Sequence, residues 1–417
     1  MTLPKPDPCV GGPVRDWRVP FVRPDPPPFA AVAAGIERAL ASGMLTKGPE
    51  LARLEQDAAR VLGVRHVVGV SSCTLGLALV LRGLADVQRR RATDCPGAAT
   101  CPLAVTADSG GTRDEVIVPS FIFLAAPAAV VWAGLRPVFV DVDPDDWTVA
   151  AAGVEAAVTD RTAAILGFHT FGCPCDMPAL AAIADRAGVP LVVDAAHGLG
   201  TAWQGRQVGA GGLAQVFSLS PTKLVVAGEG GLVATDCGCL AEAIRTAREY
   251  GNDGRYGCTL PGLNGRLPEV SALLARASLA RLDDVLARRT AAADAYRDAL
   301  ADLPGIGLQR VRPGARSSWK DLTIAVDPAV CGLDRDALRT GLAARGVETR
   351  AYYSPACHRM EAFRGHCPPG TELEVTDRLA ATLVSLPMGG HVSPATAREV
   401  AAEIRRLLAA SPSVSRP

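Results

Sequence analysis

Net charge is what this chain of 417 residues lacks: 43 Lys and Arg offset 43 Asp and Glu. Nothing global therefore draws it to nucleic acid or to an anionic membrane surface. Aromatic residues are scarce at 5%. No uncharged apolar run reaches the roughly 20 residues a membrane span requires. The stretch from Ala125 to Val140 comes nearest, but Gly134, Arg136 and Pro137 interrupt it. Prolines stand near the N-terminus where a secretory signal needs an apolar core, so a cytoplasmic location is expected. The 12 cysteines are scattered. Cys173/Cys175 and Cys237/Cys239 are C-x-C pairs, no C-x-x-C pair occurs, and no histidines follow at finger spacing, so zinc ribbons are excluded. They are read as reduced thiols used as small apolar residues, with Cys95 and Cys101 close enough in sequence to bridge under oxidation. No internal repeat is present.

What the chain does have is length enough for two domains and a regular alternation of elements. Residues 1–28 hold nine of the 32 prolines and are expected to form an extended arm. A turn at Gly43–Pro49 precedes a helix with Leu51, Leu54, Ala58, Val61 and Leu62 on one face. Strands are expected at 67–71, 116–118, 138–140, 163–168 and 191–193, with helices at 74–84, 125–133 and 177–187 between them. Two further strands, around Val216-Phe217 and 232–234, are close enough to form a hairpin. Residues 85–113, rich in Arg, Pro, Gly and Ser, read as a surface insertion. The alternation predicts an α/β fold: a large domain over 29–265 with a mostly parallel central sheet flanked by helices, then a smaller α+β domain over 266–410. A long helix is expected from Pro268, Ser393-Pro394 should start the last helix, and 411–417 should be a disordered tail.

In a parallel sheet, ligands gather beyond the carboxyl ends of the strands, where Ser72, Ser120, Asp194 and Ser218 all fall. Lys223 follows Phe217-Ser218-Leu219-Ser220-Pro221-Thr222 and precedes the glycine-rich Gly228–Gly231. About 29 residues upstream, the run Leu191-Val192-Val193 ends on Asp194, with Ala195-Ala196-His197 next. A carboxylate at a buried strand end, a lysine after a second strand and hydroxyls beside it suit pyridoxal 5′-phosphate (PLP). The lysine would form the Schiff base, the aspartate would hold the pyridine nitrogen protonated, and the serines would help bind the phosphate. Ser71-Ser72-Cys73-Thr74 joins a strand to a helix, so the Cys73 and Thr74 amides are placed for an anion, although the same residues serve equally as an ordinary helix cap. His197 is a candidate for the cofactor's phenolic oxygen, and Phe123, after Val118-Pro119-Ser120-Phe121-Ile122, offers a stacking surface.

Taken in order, these segments resemble the DegT/StrS-type sugar aminotransferases, a family of fold-type-I PLP enzymes. The likeness runs from about Val19 to Leu408 outside the 85–113 insertion. It rests on Gly43–Pro49, Val70–Thr74, Asp114–Ser120, Gly134–Asp141, His169–Gly172 with Asp176, Asp194–His197, Phe217-Ser218 with Thr222-Lys223, and Gly228–Gly231. Gly262–Arg266, Tyr353 with His358, and Leu386-Pro387-Met388 complete it. The resemblance implies Lys223 as the Schiff-base lysine, Asp194 as the pyridinium partner, and Ser218, Cys73 and Thr74 around the phosphate. It also implies Phe123 on the ring, Asn264 reaching the phosphate of a neighbouring subunit in a homodimer with shared sites, and Tyr353 and His358 near the substrate entrance. The implied reaction moves an amino group from glutamate to a nucleotide-linked 4-keto or 3-keto deoxysugar. A cyclitol ketone as acceptor, a dehydratase, and a non-catalytic regulator on the same fold are the alternatives. A dinucleotide oxidoreductase fares worse, because Gly198-Leu199-Gly200 lacks the full G-x-G-x-x-G. The sequence departs from the family pattern at Cys73, where glycine is usual, at Ile122 and Ala126, where threonine is, and at His197, where glutamine is frequent.

Overall fold

The computed structural model describes residues 17–89, 113–367 and 370–410. The first 16 residues of the expected arm, 90–112 of the expected insertion with Cys95 and Cys101, and the 411–417 tail lie outside them. Residues 85–89, expected in the insertion, continue the helix Cys73–Arg89 instead.

The strands, in chain order, are β1 (His66–Val70), β2 (Glu115–Pro119), β3 (Arg136–Val140), β4 (Thr162–Phe168), β5 (Leu191–Asp194), β6 (Ala202–Trp203), β7 (Arg206–Gln207), β8 (Ala214–Ser218), β9 (Gly231–Thr235), β10 (Ile306–Leu308), β11 (Ala315–Arg316), β12 (Leu322–Val326) and β13 (Leu383–Leu386). The central sheet has seven strands in the order β1-β9-β8-β5-β4-β2-β3. All of its pairings are parallel except those of β9, which runs antiparallel to both β1 and β8. The β8–β9 pairing is the expected hairpin, and because β9 opposes both neighbours, β1 runs the same way as β8. The carboxyl ends of β1, β8, β5, β4, β2 and β3 therefore lie along one edge.

Every residue of β4 is buried, as expected for a strand with helices on both faces. Neighbouring side chains go to opposite sides. Val116, Val118, Val192 and Val216 join one core, while Ile117, Val193 and Phe217 join the other. The helix Pro49–Leu62 turns Leu51, Leu54, Ala58 and Leu62 inward; Val61, expected on that face, is partly exposed. The long helix expected from Pro268 is two helices, Glu269–Leu279 and Leu282–Leu300, divided at Ala280-Arg281. The second spans two cores: Leu282, Val285 and Leu286 lie under the large sheet, and Ala292, Ala293, Tyr296 and Leu300 lie in a third core. That third core also takes Leu322, Ile324, Val384 and Leu386 from the sheet β10-β12-β13, with Val400 and Ile404 from the last helix, Pro394–Ala410. Ser393 caps that helix, its Oγ accepting from Thr396 N at 3.1 Å. Val19 of the arm pairs with Val347 and is buried in the same core.

One side chain ties the first helices to the later ones. Glu269, buried, accepts hydrogen bonds from the amides of Gly48 (3.0 Å), Glu50 (2.8 Å) and Leu51 (3.0 Å) at the start of the helix Pro49–Leu62. It does at long range what an N-cap residue does locally, and its negative charge suits the helix N-terminus. Glu269→Ala, which leaves three amides without this acceptor, should lower stability by about 3 kcal/mol. The shift of the urea midpoint measures this, and an unchanged midpoint would deny the cap its importance.

Candidate active site

The register along the carboxyl edge brings the candidate residues together. Phe168, Asp194 and Val216 are neighbours across β4, β5 and β8. Ser218 is paired with Gly231, which is paired on its other side with Val70. The helix Cys73–Arg89 begins directly over Gly231: a Cβ there would stand 2.7 Å from Cys73 N and 2.7 Å from Ser72 C. Only glycine permits that approach, and it sets the helix N-terminus beside the end of β8. Ser72 Oγ accepts from Leu75 N at 3.1 Å, so it is spent as the cap. The first-turn amides of Cys73 and Thr74 are by geometry outside the intrahelical ladder.

The Cys73 side chain points inward. Its Sγ lies 3.4 Å from Val216 O and 4.0 Å from Asp194 Oδ1. Asp194 is 3% exposed, and Oδ1 accepts from Ala196 N at 2.9 Å. Burial pushes its carboxyl up to about 6; the Ala196 amide and the Lys223 charge oppose this without cancelling it. Lys223 follows a tight turn in which its own N–H donates to Ser220 O at 3.0 Å, while Ser218 Oγ accepts from Ser220 N at 3.4 Å. Burial, then the Lys320 ammonium, pulls its amine down to about 8, against the pull of Asp321, Cys73 and Asp194. Asp194, Cys73 and Lys223 are thus close enough to set one another's protonation.

His197 lies between Phe168 (ring centroids 5.3 Å apart) and Phe171 (6.5 Å, stacked). Its Nδ1 is buried without a hydrogen-bond partner, and burial followed by the Lys223 and Lys320 charges holds its proton affinity well down. Tyr353, also buried, stacks on Phe171 at 5.6 Å and meets Phe121 edge-on at 5.3 Å. Phe123 is 51% exposed and lies 6.4 Å from Tyr353 at the rim of this cluster. His358 is buried, its Nδ1 2.6 Å from Ser120 Oγ at the end of β2. Asn264 is exposed, on a segment whose neighbour Gly265 accepts from Ser71 N at 2.9 Å.

The edge therefore gathers Asp194, His197, Cys73, Thr74, Ser218 and Lys223, with Tyr353 close by, while Phe123 and Asn264 face solvent and His358 packs against Ser120. A cleft of about 790 Å³ between Pro144–Trp147 and β10 contains none of them. Among the described residues no group of His, Cys, Asp or Glu is placed to hold a metal ion, and no helix is long and apolar enough to cross a membrane. Sequence reasoning missed Phe168, Phe171, and the buried pair Lys320–Asp321 (Nζ–Oδ1 2.8 Å). The aromatics were legible as strand-end residues, since Phe168 ends the β4 run; the pair carried no local signal.

The donor set fits PLP. There is an anion cradle made close by Gly231, a buried carboxylate without a cation, a lysine with lowered proton affinity, and an orphaned ring nitrogen on His197. Comparison with known proteins agrees. The chain matches the DegT/DnrJ/EryC1/StrS aminotransferase family over residues 30–405 and belongs to it. It is 37% identical over 377 residues to the dTDP-3-amino-3,4,6-trideoxy-alpha-D-glucose transaminase of Streptomyces venezuelae, covering 90% of this chain and 92% of that one. It is also 37% identical to the erythromycin biosynthesis sensory transduction protein EryC1 of Saccharopolyspora erythraea, over 88% and 93%. Among solved structures, DesI in the presence of its TDP-sugar product superimposes with a TM-score of 0.82 at 36% identity, covering 95% of each chain. DesV of S. venezuelae, in complex with a ketimine intermediate, gives 0.81 at 36% identity, covering 92% and 98%. The protein is a PLP-dependent sugar aminotransferase.

The raised Asp194 carboxyl has a consequence for stability. Without cofactor, the folded chain holds a proton there that the unfolded chain, with its value near 3.8, releases between about pH 4 and 6. The folded state binds more protons in that window, so this group favours folding increasingly as pH falls from 6 to 4, and the gain is lost as pH rises. The melting temperature of the cofactor-free protein, measured relative to Asp194→Asn, should rise between pH 7 and pH 5. A difference that stays flat with pH would show that Asp194 is not strained by burial.

Proposed function

We propose that this chain transfers an amino group from glutamate to a keto carbon, at C4 or C3, of a dTDP-linked deoxysugar, with Lys223 as the residue bonded to the cofactor and with sites shared in a homodimer. The observation that carries the reading is the convergence of Lys223, Asp194 and the first turn of the helix Cys73–Arg89 at the ends of β8, β5 and β1. The dTDP-sugar transaminase of S. venezuelae and the TDP-sugar product named with DesI support a nucleotide-linked sugar as acceptor.

When bound, PLP supplies an electron sink that stabilises the carbanion at the substrate carbon. The chain's residues do the rest. The Cys73 and Thr74 amides, with the Thr74 and Ser218 hydroxyls, would hold the phosphate at the positive end of the helix. Asp194 would be the residue that keeps the ring nitrogen protonated. Lys223 would be the residue that bonds the cofactor and the base that takes the proton from the substrate carbon, which requires an amine that can be neutral near physiological pH. His197 offers Nδ1 toward the cofactor, and Phe123 and Tyr353 with its aromatic neighbours bound the space above. Glutamate would leave as 2-oxoglutarate and the keto sugar as the amino sugar, both using one site in turn.

Asn264 is exposed, as are its neighbour Leu263 and Tyr250, whose N–H donates to Leu263 O at 3.1 Å. That placement supports a second copy whose phosphate it reaches. The reading expects a cytoplasmic enzyme.

A yellow band in the purified protein should shift when glutamate is added and return when a dTDP-linked keto sugar follows. Lys223→Ala should lose both responses, and retained turnover in it would sink the assignment. Asp194→Asn should slow the glutamate half-reaction at least a hundredfold, equivalent to about 3 kcal/mol of barrier; near-native single-turnover rates would remove Asp194 from its role. A shared site is tested by mixing subunits. Hybrids of Lys223→Ala with Asn264→Ala carry one site with both defects and one with neither, so activity should exceed that of either parent. Activity equal to the parents' average would leave Asn264 outside the partner's site.

A further inference from the structure

The second lysine of the site comes from the smaller core. Lys320 and Asp321 stand at the entry to β12, with Lys320 Nζ 2.8 Å from Asp321 Oδ1; the residues are only 5% and 3% exposed. A buried ion pair seldom adds net stability over apolar replacements, so its retention asks for another reason. Its second carboxylate oxygen, Asp321 Oδ2, is buried with no hydrogen-bond partner.

The segment carrying the pair is fastened to the residues around His197. Ser318 N donates to Gly172 O (3.1 Å), Ser318 Oγ to His197 O (2.7 Å) and Asp321 N to Phe171 O (3.4 Å). From the other side, the buried Arg289 guanidinium donates to Trp319 O (2.9 Å) and Lys320 O (3.1 Å). Gly172 makes the approach possible. Its φ is +97°, and a Cβ would stand 2.3 Å from Ser318 Oγ and 3.1 Å from Lys320 N. These contacts fix the backbone of both charged residues against the large sheet's carboxyl edge, where Lys223 lies.

Charges act on Lys223 from every side of the site: Cys73 from the helix N-terminus, Asp194 from β5, Lys320 and Asp321 from the start of β12. Lys320 also acts on His197. Held as a pair, Lys320 and Asp321 would largely cancel at a distance. At Lys223 they do not, because the repulsion from Lys320 outweighs the attraction to Asp321.

We propose that Lys320 is a positioning residue for Lys223: its buried side chain, anchored by Asp321 and fastened through Ser318 and Gly172 to the backbone beside His197, keeps the Lys223 amine available as a nucleophile. The inference rests on Lys223 being the amine that bonds the cofactor. In that step the Lys223 ammonium first gives its proton to solvent, Nζ then attacks the PLP aldehyde carbon, a C–N bond forms and water leaves. Only the uncharged amine has the lone pair the attack needs. The smaller core thereby sets the proton affinity of a lysine carried by the larger one.

The test is the pH dependence of PLP capture by the cofactor-free chain, followed as growth of the visible band between pH 6.5 and 10. The wild-type rate should be half-maximal near pH 8, the value at which Lys223 sits. Lys320→Gln should move that midpoint upward by about one pH unit, leaving Asp321 uncompensated beside Lys223. Asp321→Asn should move it downward, because only the repelling cation remains. Lys320→Arg should restore the wild-type midpoint. Loss of structure alone would not displace the two single variants in opposite directions. If a single variant fails to fold, Lys320→Met combined with Asp321→Leu removes the pair without leaving a lone buried charge. Its midpoint should lie above wild type by less than the Lys320→Gln shift. Midpoints that all stay in place, or that all move the same way, would overturn the proposal. The underlying reading fails separately, if Lys223→Ala still forms the band.

Discussion

A carboxylate removed from water needs a cation or it will take up a proton, and Asp194 at the end of β5 has a donor in the Ala196 amide but, among the described residues, no ion-pair partner. The rest of the site follows from that imbalance. Burial brings Asp194 up to about 6 and Lys223 down to about 8, so each charge is held there at a cost. A flat heterocycle with a protonated ring nitrogen at one end, an aldehyde at another and a phosphate at a third answers all three demands together. In the proposed reading it would give Asp194 its counter-charge, Lys223 its carbon, and the first turn of the helix Cys73–Arg89 its anion. Groups whose environments push their proton affinities toward each other are a recurrent sign of acid–base chemistry. Here they stand one strand apart.

Much of this was legible in the sequence because the signals were local. The β4 and β5 runs are apolar throughout and end on chemistry-bearing residues, as a parallel sheet covered on both faces requires. Lys223 sits between a strand and a glycine-rich return, and Met177–Ala187 forms a helix with the expected boundaries. What was not legible depends on contacts across long stretches of chain. Nothing in Gly231–Thr235 announces that it also pairs with β1, which puts Gly231 under the helix N-terminus. The break at Ala280-Arg281 carries no proline or glycine, and the apolar spacing reads straight through it. Glu269 caps a helix more than 200 residues earlier, which no local window registers. Trp319-Lys320-Asp321-Leu322 reads as an ordinary polar entry to a strand; burial turns it into a charged element of the site.

The seam between the cores explains why polar residues in that region are so deeply buried. Ser318, Gln309 and Arg289 spend their donors on carbonyls of His197, Asp146, Thr170, Trp319 and Lys320, most of them across the seam. Backbone carbonyls that would otherwise lose their hydrogen bonds on burial are satisfied there, and the same bonds fix the two cores in register. The aromatic group Phe121, Phe168, Phe171 and Tyr353 packs beside this seam, so the space facing Asp194 is bounded by residues from both halves of the chain.

Two lysines near one carboxylate make the identity of the bonded amine the central point. The most direct measurement is reduction of the PLP-loaded protein with borohydride, followed by peptide mapping to locate the pyridoxyl group. The account predicts the group on Lys223 alone, with Lys320 unmodified. A pyridoxyl group on Lys320, or on any lysine outside this site, would contradict it.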